Sequence, residues 1–253
     1  MIYDHKDKDT LKKYAVRAFP TFVITDAEGT ELMRQVGAPF STPEEAREWF
    51  PKVATALKNV AALEEKHASD AENIDVAIEL AETYTTLGKS DKAVEIYKAL
   101  APKIKEDDKR YATVQLAYAD GLLGTISKEN QDEVGKQISG IYDKVLPALI
   151  KSGEDRAIDP AVLNARIKMI VNKDNKAART QMTDMLEPYA KHERILEIKY
   201  WAAFFAGQDG DTDTAKTEYA AIVEAGDAEN QWVKNAQSQL KKLEKADNED
   251  SQK

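Results

Sequence analysis

The sequence predicts a mainly α-helical protein: a partial α/β unit at the front, then an α-solenoid of about four helix hairpins. Three observations predict it. Helical spacing of apolar residues dominates beyond residue 70, with no convincing strand run. A Gly-then-Ala-then-Tyr pattern at 88–97 returns at 210–219. Strand-forming residues concentrate between positions 21 and 36. The expected divisions are 1–58 for the front unit, 59–70 for a linking helix and 71–246 for the helical array. Acidic, polar residues 247–253 are expected to form a disordered tail.

Thr10 to Val16 reads as a short amphipathic helix with Leu11 and Tyr14 on one side. Pro20 opens the apolar run Thr21-Phe22-Val23-Ile24, bounded by the turn Asp26-Ala27-Glu28-Gly29. Thr30 to Val36 reads as a second strand, so a hairpin is expected with Gly29 at a positive φ. Thr42-Pro43-Glu44-Glu45 is a capping box with proline at the first helical position. Trp49 and Phe50 fall on that helix's apolar side. Pro51 is expected to end or kink it, with a further helix running to about His67.

The stretch from Tyr14 through Phe19-Pro20-Thr21-Phe22-Val23-Ile24 to Gly29, followed by Val36-Gly37 and a helix, resembles the second half of a thioredoxin-family domain. It spans about residues 4–58, under a quarter of the chain. The resemblance implies a cis proline at Pro20 and a peptide-docking loop at Phe19, Pro20 and Thr21. An ordinary strand entrance explains the same residues equally well. The family's first strand, first helix, central strand and Cys-x-x-Cys pair have no counterpart here. A missing central strand leaves unpaired sheet edges. Three accounts stay open: a truncated chain, a remnant completed by the helical region or a second chain, and a chance match.

Self-similarity organises the remainder. Gly88-Lys-Ser-Asp-Lys-Ala93-Val-Glu-Ile-Tyr97 aligns with Gly210-Asp-Thr-Asp-Thr-Ala215-Lys-Thr-Glu-Tyr219. In each, glycine ends one helix, a Ser or Thr near an Asp opens the next, and Ala and Tyr recur on one face. Asn172 is expected to supply the left-handed residue of a third copy reaching Ala177. Leu80-Ala81 precede Gly88 as Leu116-Ala117 precede Gly124, a spacing of 36 residues from Leu80 to Leu116. An insertion is expected near Ser127–Gln137, and a last helix at about Asn230–Glu244 serves as the cap.

Leu80, Ala81, Tyr84, Gly88, Ala93 and Tyr97, with Gly210, Ala215 and Tyr219, resemble the packing positions of the tetratricopeptide (TPR) repeat. Small residues such as Ala81 and Ala93 let paired helices approach, and Tyr84 and Tyr97 fill the groove between repeats. Tyr142, Trp201, Phe204 and Phe205 are spaced as inter-helix packing, while Trp232 lies on the cap. Glu79, Glu82 and Lys199 fall on first helices of repeats, where a concave peptide surface and a solvated face are both open.

No cysteine is present, which removes thiolate nucleophiles, disulfides and thiolate metal sites together. His5, His67 and His192 are scattered without ligand spacing, so no metal or cofactor is expected. No Gly-rich phosphate loop, Gly-x-Ser-x-Gly elbow or His-Glu-x-x-His helix occurs, so no enzyme is expected in this chain alone. A net charge of -9 disfavours nucleic acid. Mean hydropathy of -0.56 and the absence of a long apolar run disfavour a membrane span. The N-terminus lacks a secretion-type apolar core, so the expected compartment is the cytoplasm, or the periplasm or exterior if a signal precedes it.

The partner expected is a protein or peptide, with a homodimer through a sheet edge as a further option. Thioredoxin-like residues ahead of TPR-like repeats are similar in arrangement to bacterial chaperedoxins, which implies chaperone-like client binding. The alternative is a piece of a longer thiol–disulfide oxidoreductase whose Cys-x-x-Cys lies upstream of Met1.

Overall fold

The structure, a computed structural model, describes residues 7–250. His5 and residues 251–253 of the expected tail lie outside them. Eleven α-helices and one two-stranded antiparallel sheet are present among the described residues. They divide into two compact units, Met1–Gly124 and Thr125–Lys253. The divisions expected at residues 58 and 70 both fall within the first unit.

In the first unit, α1 spans Lys8–Lys13, earlier and shorter than the periodicity predicts. Asp7 caps its start by accepting from the Thr10 N–H at 3.0 Å. Its end is closed by Ala15 at φ 47°, with the Val16 N–H donating to the Leu11 carbonyl at 2.9 Å. Strands β1 (Thr21–Thr25) and β2 (Glu31–Val36) form the hairpin, with Ile24 opposite Met33 and Phe22 opposite Gln35. This register places Phe22, Ile24 and Met33 on one face and Val23, Leu32 and Val36 on the other.

The first face packs on α2 (Pro43–Ser69), where Met33 joins Val53 and Ala56 in a small core. The capping box forms: the Thr42 hydroxyl accepts from the Glu45 N–H, and Glu45 accepts from the Thr42 N–H. Of the expected end or kink at Pro51, the end does not occur: α2 continues through the proline for 27 residues in all. The interruption falls on a solvent-facing stretch: Arg47, whose carbonyl loses its helical donor to the proline, is exposed and can be solvated. The linking helix at 59–70 is therefore the second half of α2, and it contributes buried Leu63.

Helices α3 (Ile74–Thr86), α4 (Ser90–Leu100) and α5 (Tyr111–Leu123) follow, each packing on its predecessor from α2 onward. The second unit contains α6 (Gln131–Lys151), a short 3₁₀ turn at Asp155–Ala157, α7 (Ile158–Ile170) and α8 (Asn175–Asp184). It continues with α9 (Ile195–Gln208), α10 (Thr212–Ala225) and α11 (Gln231–Asp250), again packed in chain order. Helix α11 carries residues 247–250, which the sequence assigns to a disordered tail. The preceding Lys241-Lys242-Leu243-Glu244-Lys245-Ala246 run consists of strong helix formers and propagates the helix outward.

Three turns close by the same paired hydrogen bonds. At Gly88 (φ 69°) the Gly88 N–H donates to the Thr85 carbonyl and the Lys89 N–H to the Tyr84 carbonyl. Gly210 repeats this with the Gly207 and Ala206 carbonyls, and Gly153 with those of Ile150 and Leu149. Two other turns depart from this pattern, one of them an expected copy of it. Gly124 stays right-handed at φ -66°, so α5 does not end in a left-handed glycine. After α7 the left-handed residue is Lys173 (φ 57°), not Asn172. There the Asn172 N–H still reaches the Ile167 carbonyl at 3.3 Å, so the last turn widens by one residue before the chain reverses. The expected insertion is only partly a loop, since Gln131 onward forms the first turns of α6.

Candidate functional site

In the first unit, α3, α4 and α5 enclose an open groove of about 500 Å³. Its floor is small and apolar: Ala93 and Val94 of α4, with Ala117 and Gly121 of α5. The helices come this close because the side chains between them are minimal. Ala81 and Ala93 are 0% and 3% exposed, and a Cβ built on Gly121 would stand 2.3 Å from Val94 Cγ2. The walls are polar, with Glu82, Thr85 and Thr86 from α3, Ser90 and Tyr97 from α4, and Thr113 and Asp120 from α5. Burial, reinforced by the nearby Glu82 charge, raises the Tyr97 phenol to about 12, so it stays protonated at neutral pH.

The other face of α3 and α4 meets α2. The Tyr84 hydroxyl donates to Glu64 Oε1 at 2.5 Å, and Lys92 pairs with the same carboxylate at 3.5 Å. Lys92 also stands 5.0 Å above the Tyr84 ring, and Lys89 6.0 Å from it. Burial first, then the Glu64 hydrogen bond, raises the Tyr84 phenol to about 12. The same hydrogen bond lowers the Glu64 carboxyl. The lysines that open α4 are thereby drawn to the side of α4 that meets α2.

In the second unit, α6, α7 and α8 frame a cleft of about 660 Å³. Lys168 bridges Asp143 at 2.7 Å and Gln181 at 2.8 Å, while the buried Asn164 amide donates to both of these partners. Cations and carboxylates mix in its lining, with Lys151, Lys168 and Lys176 beside Asp143, Asp184 and Glu187.

The sequence-derived positions are distributed as follows. Leu80, Ala81, Tyr84, Ala93 and Tyr97 are buried around α3 and α4, and Gly88 turns between them. Ala215 and Tyr219 are buried in the second unit, where Gly210 makes the corresponding turn. Phe205 and Tyr142 are fully buried, Trp201 and Phe204 partly so, and the Trp232 ring packs tilted against Tyr200 at 5.3 Å. Glu82 lines the groove, whereas Glu79 and Lys199 line none of the recesses described above. Thr86, Thr113, Asp120 and Gly121 are groove residues that the sequence reading did not single out. Gly121, in the middle of an otherwise helical run, was the visible signal.

At the hairpin, the Phe19–Pro20 peptide is cis, Phe19 is 62% exposed and Pro20 is exposed. The Pro20 carbonyl is taken by the Gly37 N–H at 2.9 Å, and the Thr21 hydroxyl turns back to the Ala18 carbonyl at 2.7 Å. Close by in sequence, Phe22, Phe40, Trp49 and Phe50 form an aromatic cluster with ring centroids 4.9–6.1 Å apart. Phe50 remains 48% exposed.

Among the described residues no three His, Asp or Glu side chains gather as a metal site, and no helix is long and apolar enough to cross a membrane. No protein-family model matches this chain, and no curated protein matches it. Solved structures do. The nearly identical TPR-like repeats of a Podosopora anserina protein superpose with a TM-score of 0.51 at 15% identity, over 71% of this chain and 89% of that one. A single-substitution variant of those repeats gives 0.52 at 16% identity, over 71% and 88%. A thermophilic TPR protein of Thermus thermophilus reaches only 0.45 at 14% identity, over 76% and 98%, and carries no weight. The chain has a TPR-like helical-repeat fold with a small antiparallel sheet at its N-terminal end.

Proposed function

We propose that this protein is a non-catalytic interaction module that holds peptides or client proteins on its helical-repeat surface, in a chaperone-like role. The observation that carries this reading is the open α3–α4–α5 groove. It has an apolar floor and hydrogen-bonding walls, the combination that accommodates an extended chain. The exposed Phe19–Pro20 loop and the half-exposed aromatic cluster add a second apolar surface beside β1 and α2. A cysteine-free chain has no thiol chemistry to offer.

The test is aggregation of a heat-unfolded client protein followed by light scattering. The isolated chain at equimolar ratio is expected to delay it, and an unchanged time course removes the chaperone-like role. A second reading, a piece of a longer thioredoxin-family oxidoreductase, is favoured by the β1–β2–α2 order with the helix on one sheet face. The reading frame upstream of Met1 tests it: an in-frame strand and Cys-x-x-Cys support it, and a stop codon directly before Met1 ends it.

A further inference from the structure

The two edges of the β1–β2 hairpin are not alike. The outer edge of β2 is obstructed, because its Arg34 carbonyl abuts the turn at Gly88, where an added Cβ would stand 3.1 Å away. A bulge also interrupts it: Ile24 faces Met33 and Thr25 faces Glu31, so Leu32 is the extra residue on β2. Glu31 and Arg34 add charge to the same strand. β1 has none of these features. Its residues, Thr21-Phe22-Val23-Ile24-Thr25, are uncharged strand formers without a proline. The Pro20 carbonyl accepts from the Gly37 N–H and the Asp26 N–H donates to the Thr30 carbonyl, so positions 20 and 26 bond toward β2. Alternation along an antiparallel ladder then turns the N–H and C=O groups of Thr21, Val23 and Thr25 outward. Among the described residues no strand lies beyond them.

We propose that β1 pairs with β1 of a second copy of this chain, antiparallel and centred on Val23, so that two hairpins become one four-stranded sheet. The strand is self-complementary about that point. Thr21 of each copy stands opposite Thr25 of the other, Phe22 opposite Ile24, and Val23 opposite Val23. About six backbone hydrogen bonds close the junction. A two-fold axis normal to the sheet keeps Phe22 and Ile24 of both copies on the α2 side. Each Phe22 ring, 5.3 Å from Phe40 and 5.8 Å from Trp49, thereby extends its aromatic cluster to the Ile24 of the other copy. Charge agrees with this direction. Antiparallel pairing brings the exposed Glu28 of one hairpin turn toward the exposed Arg17 that leads into the other β1, whereas parallel pairing would set like beside like. Four strands also exceed the two that are marginal as a sheet on their own. The inference stands apart from the peptide-binding reading of the α3–α4–α5 groove.

The experiment is sedimentation of the full chain from low to high micromolar concentration. The parent is expected to move from 28.2 kDa toward twice that mass. Val23→Lys and Val23→Glu each set like charges face to face at the two-fold axis, and each is expected to weaken association roughly tenfold or more. An equimolar mixture of the two variants is expected to restore it. The absence of native cysteine permits a gentler probe should either charged variant lose its helical circular dichroism. Val23→Cys, close to valine in size, is expected to give a disulfide-linked dimer under mild oxidation, and Val36→Cys, at an exposed position on β2, is not. A parent that stays monomeric throughout, folded charge variants that associate like the parent, a mixture that stays apart, or equal crosslinking at positions 23 and 36 overturns the proposal.

Discussion

Offset by 122 residues, from Gly88 to Gly210, the α3–α4 and α9–α10 hairpins keep glycine at the turn, alanine at the close approach and tyrosine on the second helix. Ala81 and Ala203 are both fully buried, Ala93 and Ala215 nearly so, and Tyr97 and Tyr219 are 4% and 3% exposed. What differs is the filling. Tyr84 in the first hairpin is replaced by Ala206 in the second. The second hairpin's core instead carries Tyr200, whose ring lies 5.7 Å from Tyr219 and 5.3 Å from Trp232. Positions that set backbone geometry repeat, because a left-handed turn and a close helix approach admit few residues. Positions that only supply volume drift, because a core accepts other apolar shapes that fill the same space.

The largest effects should come where the second helix of each hairpin meets the next helix. A Cβ on Gly121 would stand 2.3 Å from Val94 Cγ2, and one on Gly226 would stand 2.3 Å from Val233 Cγ2. Valine is stiff, so neither can yield by simple rotation. Gly121→Ala and Gly226→Ala should each destabilise by about 1–3 kcal/mol in urea unfolding, with Val94→Ala and Val233→Ala restoring part of the loss in double-mutant cycles. Gly207 is the control, since its added Cβ meets Ala215 Cβ at an ordinary 3.4 Å. Gly207→Ala should leave stability unchanged or slightly raised, because alanine favours the helix. Equal losses at all three positions would show that the close approach is not what these glycines serve.

The turns sharpen the comparison next. Gly88 and Gly210 both hold φ in the left-handed region, at 69° and 90°. Alanine at either should cost about 1–2 kcal/mol. A Cβ at Gly88 also comes within 3.1 Å of the Arg34 carbonyl of β2, whereas Gly210 has open space around it. Thermal melts should therefore rank Gly88→Ala below Gly210→Ala. A reversed order would mean that the hairpin does not bear on the first turn.

Caps give a smaller effect of opposite sign in the two hairpins. Asp211 caps α10 by accepting from the Thr214 N–H at 3.1 Å and pairs with Arg179 at 2.7 Å, whereas Lys89 in the equivalent place makes no side-chain cap. Asp211→Ala should cost about 1 kcal/mol, and Lys89→Asp should gain a few tenths, both read as shifts in the urea midpoint.

The same contrast explains what was legible beforehand. The helical repeats, the β-hairpin and the α2 capping box rest on local rules of periodicity, turn chemistry and caps, and the structure places all three within a few residues of the reading. The persistence of α2 through Pro51 was not legible, because it depends on which way the Arg47 carbonyl faces once α2 is packed. Nor was the right-handed Gly124, whose sequence context copies that of Gly88 while its backbone does not. The groove was half legible. Glu82 stood out by its place on a first helix, but Asp120 and Gly121 join it only through the approach of α5 to α4. Pairings across elements of this kind leave no periodic trace.

Alkaline titration breaks the comparison at the one position where the hairpins differ most. Tyr84 has a folded pKa of about 12 against an ordinary 10.0, raised first by burial and then by its hydrogen bond to Glu64. A phenol whose pKa is higher in the folded state favours that state while protonated. Its contribution is whole below pH 10 and disappears as pH climbs from 10 to about 12. Within that window each such tyrosine steepens the loss of stability by up to about 1.4 kcal/mol per pH unit. Tyr97, also near 12, contributes in the same sense, as does Tyr219, whose phenol burial raises as well. Ala206 cannot, so the asymmetry between the two hairpins lies in Tyr84. Tyr84→Phe keeps the ring beneath Lys92 and deletes the titration. Unfolding free energies measured from pH 9 to 12 should fall less steeply for the variant than for the parent, with the curves converging toward the top of the range. Parallel curves would mean that Tyr84 ionises as freely in the folded protein as in the unfolded chain, and that its contact with Glu64 is not maintained in solution.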